Sequence, residues 1–369
     1  GVPPQKYSMR RSSTLLKAAV DLRSDTITRP CAAMRRAMAE ARVGDDVFGE
    51  DPTVRLLEAT VAEMAGKAAG LFVPSGTMSN LCAIMGHCDA RGAEMILGDK
   101  AHIHVYEQGG SATIAGVHSR VLRVHDNGQM DLRDIEAAVR GDDVHHPRTK
   151  LICIENTQNL AGGVPLPAEY HERAFAIARK NGLRMHVDGA RLWNAAVALK
   201  TPLDRFRADS ISLCLSKGLG APAGSVLVGG EELIAEARRH RKAIGGGMRQ
   251  AGVLAAAGLF AIETNLPKLA DDHQNALLLA KELSGMGFTI TAPDLSMPAS
   301  LTNIVYFRMP PDSKYNAKAA QFSQDLASRG VLIGGGYGDG SVCRAVCNID
   351  APKEAVEFAL EQVKDLLAA

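Results

Sequence analysis

The chain of 369 residues is 46% apolar and 22% charged with a net charge of +1, the profile of an ordinary globular protein long enough for two domains. That charge balance supplies no basic face for nucleic acid or an anionic membrane, and the longest apolar stretch, Ala251 to Ile262, falls short of the ~20 residues that cross a bilayer. Seven scattered cysteines (Cys31, Cys82, Cys88, Cys153, Cys214, Cys343 and Cys347), with no C-x-x-C pair, argue against a disulfide framework and a zinc site and suit a reduced intracellular compartment.

In chain order, residues 1–20 carry Lys6, Arg10, Arg11 and Lys17 but no acid, so they read as a transit-peptide remnant or a disordered extension. The cytoplasm is the expected compartment, with the mitochondrion as the alternative. "TVRLLEATVAEMAG" (53–66) has helical apolar spacing and ends at glycine. "AAGLFVPSG" (68–76), "EMILGD" (94–99) and "KLICIEN" (150–156) are short apolar runs that predict strands. "PAEYHERAFAIARKNG" (167–182) predicts a helix, and "LRMHVDGA" (183–190) and "SISLCLSKG" (210–218) predict further strands. After about residue 265 come a helix ("DDHQNALLLAKELSGMG"), a strand ("SLTNIVYFRM"), another helix, a strand ("SVCRAVCNI") and a final helix. The alternation predicts an α/β fold, with a large domain over 21–264 built on a mainly parallel sheet and a smaller α+β domain over 265–369. In such sheets ligands bind beyond the carboxyl ends of the strands.

Four features lie at such places. Lys217 ends a predicted strand and precedes Gly218, Gly220 and Gly224. A desolvated amine is a nucleophile, and the glycines suggest room for a planar group, although a surface lysine fits the same residues. Asp188 ends another strand in "HVDGAR", where it would hold a pyridine nitrogen protonated or else cap a helix starting at Ala190. In "PSGTMSN" (74–80), Gly76, Thr77 and Met78 would offer amides to an anion, or form a plain capped turn. His102 in "DKAHIHVYEQGG" would stack on an aromatic ring; with His104 it makes a poor metal pair for want of a third ligand, and no metal is expected. Phosphate turn, stacking histidine, aspartate and lysine, in that order, form the layout of pyridoxal 5'-phosphate (PLP) enzymes of the aspartate aminotransferase fold, fold type I.

Over about residues 21–350 the chain resembles the L-threonine aldolases, through "DLRSDTITRP" (21–30), "VGDDVFGEDPTV" (43–54), "PSGTMSN", "AHIHVYEQGG", "HVDGARLWNA", "SKGLGAPAGSVL", "GGGMRQAG" (245–252) and "CRAVCNID" (343–350). The resemblance implies PLP carried as a Schiff base on Lys217, with Asp188 at its ring nitrogen, Arg191 near its phenolic oxygen and His102 over its face. Ser24, Arg191 and Arg344 would hold the substrate carboxylate, and His145 would approach the substrate hydroxyl. Tyr106, Lys242 and Arg249 would reach a neighbouring subunit's site, which implies a homotetramer of tight dimers. The implied reaction is cleavage of L-threonine or L-allo-threonine to glycine and an aldehyde. A PLP-dependent racemase, a β-eliminating lyase and a non-catalytic binding protein are the competing readings. Phe48 (for tyrosine), Gln158 (for histidine) and Cys347-Asn348 (for Thr-His) depart from the family pattern.

Overall fold

The computed structural model describes residues 20–292, 294–296 and 301–368. The basic N-terminal run lies outside them, apart from Val20. The chain opens with a short strand, β1 (Val20–Asp21), and then lays down β2 (Ala69–Val73), β3 (Ala93–Gly98), β4 (His118–Leu122), β5 (Arg148–Glu155), β6 (Arg184–Gly189), β7 (Ser210–Cys214) and β8 (Ser225–Gly229). Strands β2 to β8 form one sheet in the order β2-β8-β7-β6-β5-β3-β4. All neighbours are parallel except β8, which is antiparallel to both β2 and β7.

Helices cover this sheet, as a buried parallel sheet requires. The helix Pro52–Met64 starts where the Asp51 side chain accepts from the amides of Thr53 and Val54, with Pro52 at its first position. It buries Val54, Leu57 and Val61, a helical spacing, against the core that holds Phe72, Trp193 and Leu213.

The second layer contains β9 (Thr289–Ala292), β10 (Ile304–Arg308), β11 (Val331–Leu332), β12 (Gly334–Tyr337) and β13 (Val342–Val346). Four of these form an antiparallel sheet in the order β12-β13-β10-β9, while β11 pairs in parallel with β1. Leu22 is buried in the same core as Phe307, Phe322 and Val356. The first described strand therefore belongs to the C-terminal layer, and Ser24 and Asp25, just after it, stand where the two layers meet.

Among the described residues, one helical run, Gly252–Gly285, is long and apolar enough to cross a membrane. Its packing is that of a core element: a Cβ on Gly258 would meet Leu215 at 2.8 Å and Leu57 at 3.1 Å. Asp272 on this run is buried, and its Oδ2 has no partner among the described residues. Burial, with the charge of Asp25 adding to it, pushes the carboxyl up to about 8 from 3.8. The fold then holds a proton that the unfolded chain releases, so stability falls as pH rises between those values. Asp272→Asn is expected to stabilise the protein at about pH 8 by roughly 1–3 kcal/mol, read as a higher Tm whose advantage fades toward about pH 4. Equal melting of both proteins at the higher pH would contradict this account.

Candidate active site

The carboxyl ends of β5, β6 and β7 gather the chemistry. Glu155 and Asp188 are at or next to the ends of β5 and β6, and Lys217 lies three residues beyond the end of β7. Asp188 is buried; its Oδ2 accepts from Asn80 Nδ2 at 2.9 Å and its Oδ1 from the Ala190 amide at 3.1 Å. The helix after β6 begins at Leu192, not Ala190, with Arg191 at its cap position. Asp188 thus secures the turn before the helix and remains a carboxylate facing the strand ends.

Lys217 is half-buried. Its backbone carbonyl accepts from Thr28 Oγ1 at 2.9 Å and from the Gly220 amide at 2.8 Å, so the main chain fixes its position. Its side-chain charge is close enough to influence both Asp25 and His102. The glycines around it do different work from that expected. A Cβ on Gly218 would meet Leu269 at 2.8 Å, and one on Gly224, where φ is +104°, would run into the ring of Phe72. They let the lysine loop press against the protein's own core; space for a planar group is not what they create.

His102 opens a short helix, His102–Val105, and its amide donates to Glu155 Oε2 at 2.6 Å. Burial and the neighbouring Asp188 charge raise Glu155 to about 7. The His102 ring bonds through Nδ1 to Glu107 Oε1 at 2.9 Å, and this bond, more than any charge nearby, raises the histidine above 6.5. Tyr106 packs against the same ring with centroids 5.5 Å apart. His102, Glu107 and Asp188 place ligand atoms within 4.8 Å of one another, a spacing that suits a cation. However, Asn80 already donates to Glu107 and Asp188, both at 2.9 Å, and its amide group fills the gap between them.

Arg191 grips Asp25 through two nitrogens, Nε to Oδ2 at 2.8 Å and Nη2 to Oδ1 at 2.6 Å, and Asn303 donates to the same Oδ2 at 3.1 Å. Burial alone would raise Asp25; the Arg191 charge and hydrogen bonds outweigh it and hold the carboxyl at about 2. Breaking a buried pair by removing one partner typically costs about 3–5 kcal/mol, so this clamp joins the N-terminal segment, the large sheet and β10 firmly. Ser24 precedes Asp25 and is half-buried. Arg344 on β13 is buried; its Nη2 contacts the Arg23 carbonyl at 3.4 Å, its guanidinium lies 5.5 Å from the centroid of the Tyr337 ring, and its Nε has no partner among the described residues. A buried guanidinium with a spare donor has the chemistry that suits a carboxylate.

The turn of Gly76, Thr77 and Met78 opens the helix Gly76–His87, whose first-turn amides have no intrahelical acceptor. Ser75 Oγ takes the Met78 amide at 3.2 Å, leaving those of Gly76 and Thr77 as the anion donors. Beside them Ser225 Oγ is buried without a partner among the described residues, 3.6 Å from where a Cβ of Gly76 would stand. Ser212 Oγ is likewise unpartnered, and Ser212 is the register partner of Asp188. A phosphate-bearing group would satisfy such a cradle.

Lys242 and Arg249 are exposed, with Arg249 paired to Asp45 at 3.2 Å, and Tyr106 is exposed as well. Within its own chain, His145 lies away from the other site residues. Its exposed ring bonds to Asp143 at 2.8 Å in the loop before β5, at the amino end of that strand, while the site lies at the carboxyl end. Within one chain the length of β5 separates His145 from Lys217. Asn80, Glu107, Glu155, Asp25 and Asn303 were not singled out from the sequence. Asn80, Glu107 and Asp25 lie inside motifs quoted for other members, which was the available signal.

The profile of the β-eliminating lyase family matches residues 21–307. A protein of Arabidopsis thaliana named probable low-specificity L-threonine aldolase 2 is 52% identical over 318 residues, covering 85% of this chain and 88% of the relative. The low specificity L-threonine aldolase of Escherichia coli K12 is 41% identical over 337 residues, or 91% and 95% of the two chains. The chain belongs to the L-threonine aldolase family. Solved structures agree at the level of the fold: the Leishmania major threonine aldolase superposes with a TM-score of 0.79 at 19% identity, covering 94% of this chain and 99% of that one. An SPT solved with PLP gives 0.70 at 17% identity, with 94% and 87% covered. The threonine aldolase family thus accounts for the fold-type I architecture.

Proposed function

We propose that this chain is a PLP-dependent aldolase that cleaves L-threonine and L-allo-threonine to glycine and an aldehyde. The carrying observation is that Lys217, just beyond β7, is close enough for its charge to act on both Asp25 and His102, that Asp188 acts on the same His102, and that Arg344 is buried with an Nε that has no partner among the described residues. When bound, PLP supplies an electron sink for the charge left on Cα as the Cα–Cβ bond breaks. Lys217 provides the amine that attaches it. Gly76, Thr77 and Ser225 offer donors to its phosphate, and Asp188 keeps unused lone pairs for its ring nitrogen. Arg344 and Ser24 bind and orient the substrate carboxylate, and Arg191, fixed by Asp25, flanks them. His102 has Nδ1 committed to Glu107, so Nε2 is the atom that takes the proton from the substrate's β-hydroxyl.

Incubation with L-threonine, L-allo-threonine and L-alanine, followed by chiral analysis, tests this reading. Glycine and acetaldehyde are expected from both threonines and no D-alanine from alanine. Racemised alanine without glycine would overturn the aldolase and support the racemase. The large exposed apolar groups Phe48, Leu56 and Ile114 suit burial against another copy of the chain, and the exposed Lys242, Arg249 and Tyr106 are read as reaching a neighbour's site in a homotetramer. On that reading, mixing Arg249→Ala chains with Lys217→Ala chains restores part of the activity, because some sites then contain neither defect. Mixed assemblies without recovery would remove the shared site.

A further inference from the structure

Behind the site, a line of buried polar groups runs through the layer between the sheet and the helix Gly76–His87. His186 and Asp188 are two residues apart on β6 and share one face of the sheet. Asn80 and His87 are seven apart on the helix, two turns along the same side. Ser210 on β7 is the register partner of His186. These side chains connect: His87 Nε2 to Ser210 Oγ at 2.8 Å, Ser210 Oγ to His186 Nδ1 at 2.8 Å, and His186 Nε2 to Asn80 Oδ1 at 3.1 Å. Asn80 Nδ2 then contacts both Asp188 Oδ2 and Glu107 Oε1 at 2.9 Å.

The chemistry of the two ends fixes every proton between them. Carboxylates accept, so the Asn80 amino group must face Asp188 and Glu107, and its Oδ1 must face His186. That oxygen requires a donor, which puts the His186 proton on Nε2. Burial keeps His186 neutral, its midpoint pushed down to about 3, so Nδ1 is bare and takes the Ser210 hydroxyl proton. Ser210 is then an acceptor for the Nε2 proton of His87, which is also neutral, burial having pushed its midpoint to about 4. All the bonds point the same way, and their dipoles place positive ends toward the two carboxylates and reinforce one another.

We propose that His87, Ser210, His186 and Asn80 form a positioning relay, with Asn80 as its hub, that sets the orientation of the two groups expected to flank the cofactor: Asp188 directly, and His102 through Glu107. One side-chain amide thereby couples the partner of the ring nitrogen to the ring over its face. The proposal rests on the PLP reading above.

The test uses the apoprotein titrated with PLP, and the absorption band of the bound cofactor as a function of pH. His186→Leu removes the donor that orients Asn80, and the PLP dissociation constant is expected to rise on the order of 10–100-fold, as for supporting groups behind metal ligands. The band and its pH midpoint should move with it. His186→Gln, which keeps an amide donor, should recover much of the affinity. Ser210→Ala cuts the relay two links from Asp188, at a residue no substrate or cofactor atom is expected to touch. It should shift the band in the same direction by less, and it serves if His186→Leu fails to fold. In the apoprotein, imidazole 15N shifts should show His186 protonated at Nε2 only. Variants that lower Tm yet leave PLP affinity and the band unchanged, or a His186 protonated at Nδ1, would overturn the relay. A parent protein that binds no PLP would instead sink the functional reading, and the relay's purpose with it.

Discussion

Lys217→Ala is expected to abolish the covalent hold on PLP and reduce threonine cleavage on the order of 10³–10⁶-fold, the loss seen when one member of a catalytic unit is removed. The folded protein should survive the change. Among the described residues the Lys217 side chain makes no hydrogen bond or ion pair, while its carbonyl is held by Thr28 and Gly220. The loop is shaped by its glycines against Leu269 and Phe72, which the substitution leaves in place. Removing a half-buried ammonium also lifts a charge that favours the ionised Asp25, yet Arg191 supplies most of that effect. The measurements are a thermal melt within a few degrees of the parent, loss of the yellow band on dialysis, and borohydride labelling. In the parent, borohydride should fix the cofactor to Lys217 alone; label on another lysine would refute the assignment.

The parts of this site that were legible in the sequence share a physical property: each follows an apolar run. Parallel strands buried on both faces are rich in apolar residues, so a charged residue at or just beyond their ends stands out, as Asp188 does after "RMHV" and Lys217 does beyond "SISLC", even though both strands also carry buried polar residues. The layer order followed from the same alternation. The strands not expected from the sequence include polar or glycine-rich ones and also β8, "SVLVG", which is apolar and fully buried but follows directly on the glycine-rich loop after Lys217. β4 reads "HSRVL" and β12 reads "GGGY", with half or more of their positions at least partly exposed. The supporting shell was illegible for a different reason. Asn80, His186 and Ser210 meet across a helix and two strands, and no local spacing records a contact between side chains that far apart in the chain. His145 stands only on the family motif, and within its own chain it lies at the amino end of β5, away from the strand ends that hold Lys217 and Asp188. The glycines after Lys217 stand out in the sequence, but their role depends on Leu269 and Phe72, which reach them from distant parts of the chain.

His102→Ala should retain PLP and lose most of the cleavage rate, about 10²–10⁴-fold for one well-placed acid–base group. Retention follows because attachment depends on Lys217 and ring protonation on Asp188, neither of which His102 hydrogen-bonds. The pH profile separates a proton-handling role from mere stacking. The bond to Glu107 raises His102 above 6.5, and the base form needs Nε2 bare, so kcat/KM in the parent should climb with pH through that raised midpoint. Glu107→Gln keeps a hydrogen-bonding side chain but removes its charge. The His102 midpoint should then fall toward 6.5 and the acid limb should move to lower pH, with more activity than the parent retained in mildly acidic buffer. A stacking group alone predicts no movement of that limb, because an imidazole covers a ring face in either protonation state. Replacement of Glu107 also releases one acceptor of Asn80, so some loss of PLP affinity is expected alongside, and it is read separately in the apoprotein titration. If His102→Ala cleaves both threonine isomers at the parental rate, the proton acceptor lies elsewhere, and the buried Glu155, raised to about 7 behind the His102 amide, is the next carboxyl to substitute.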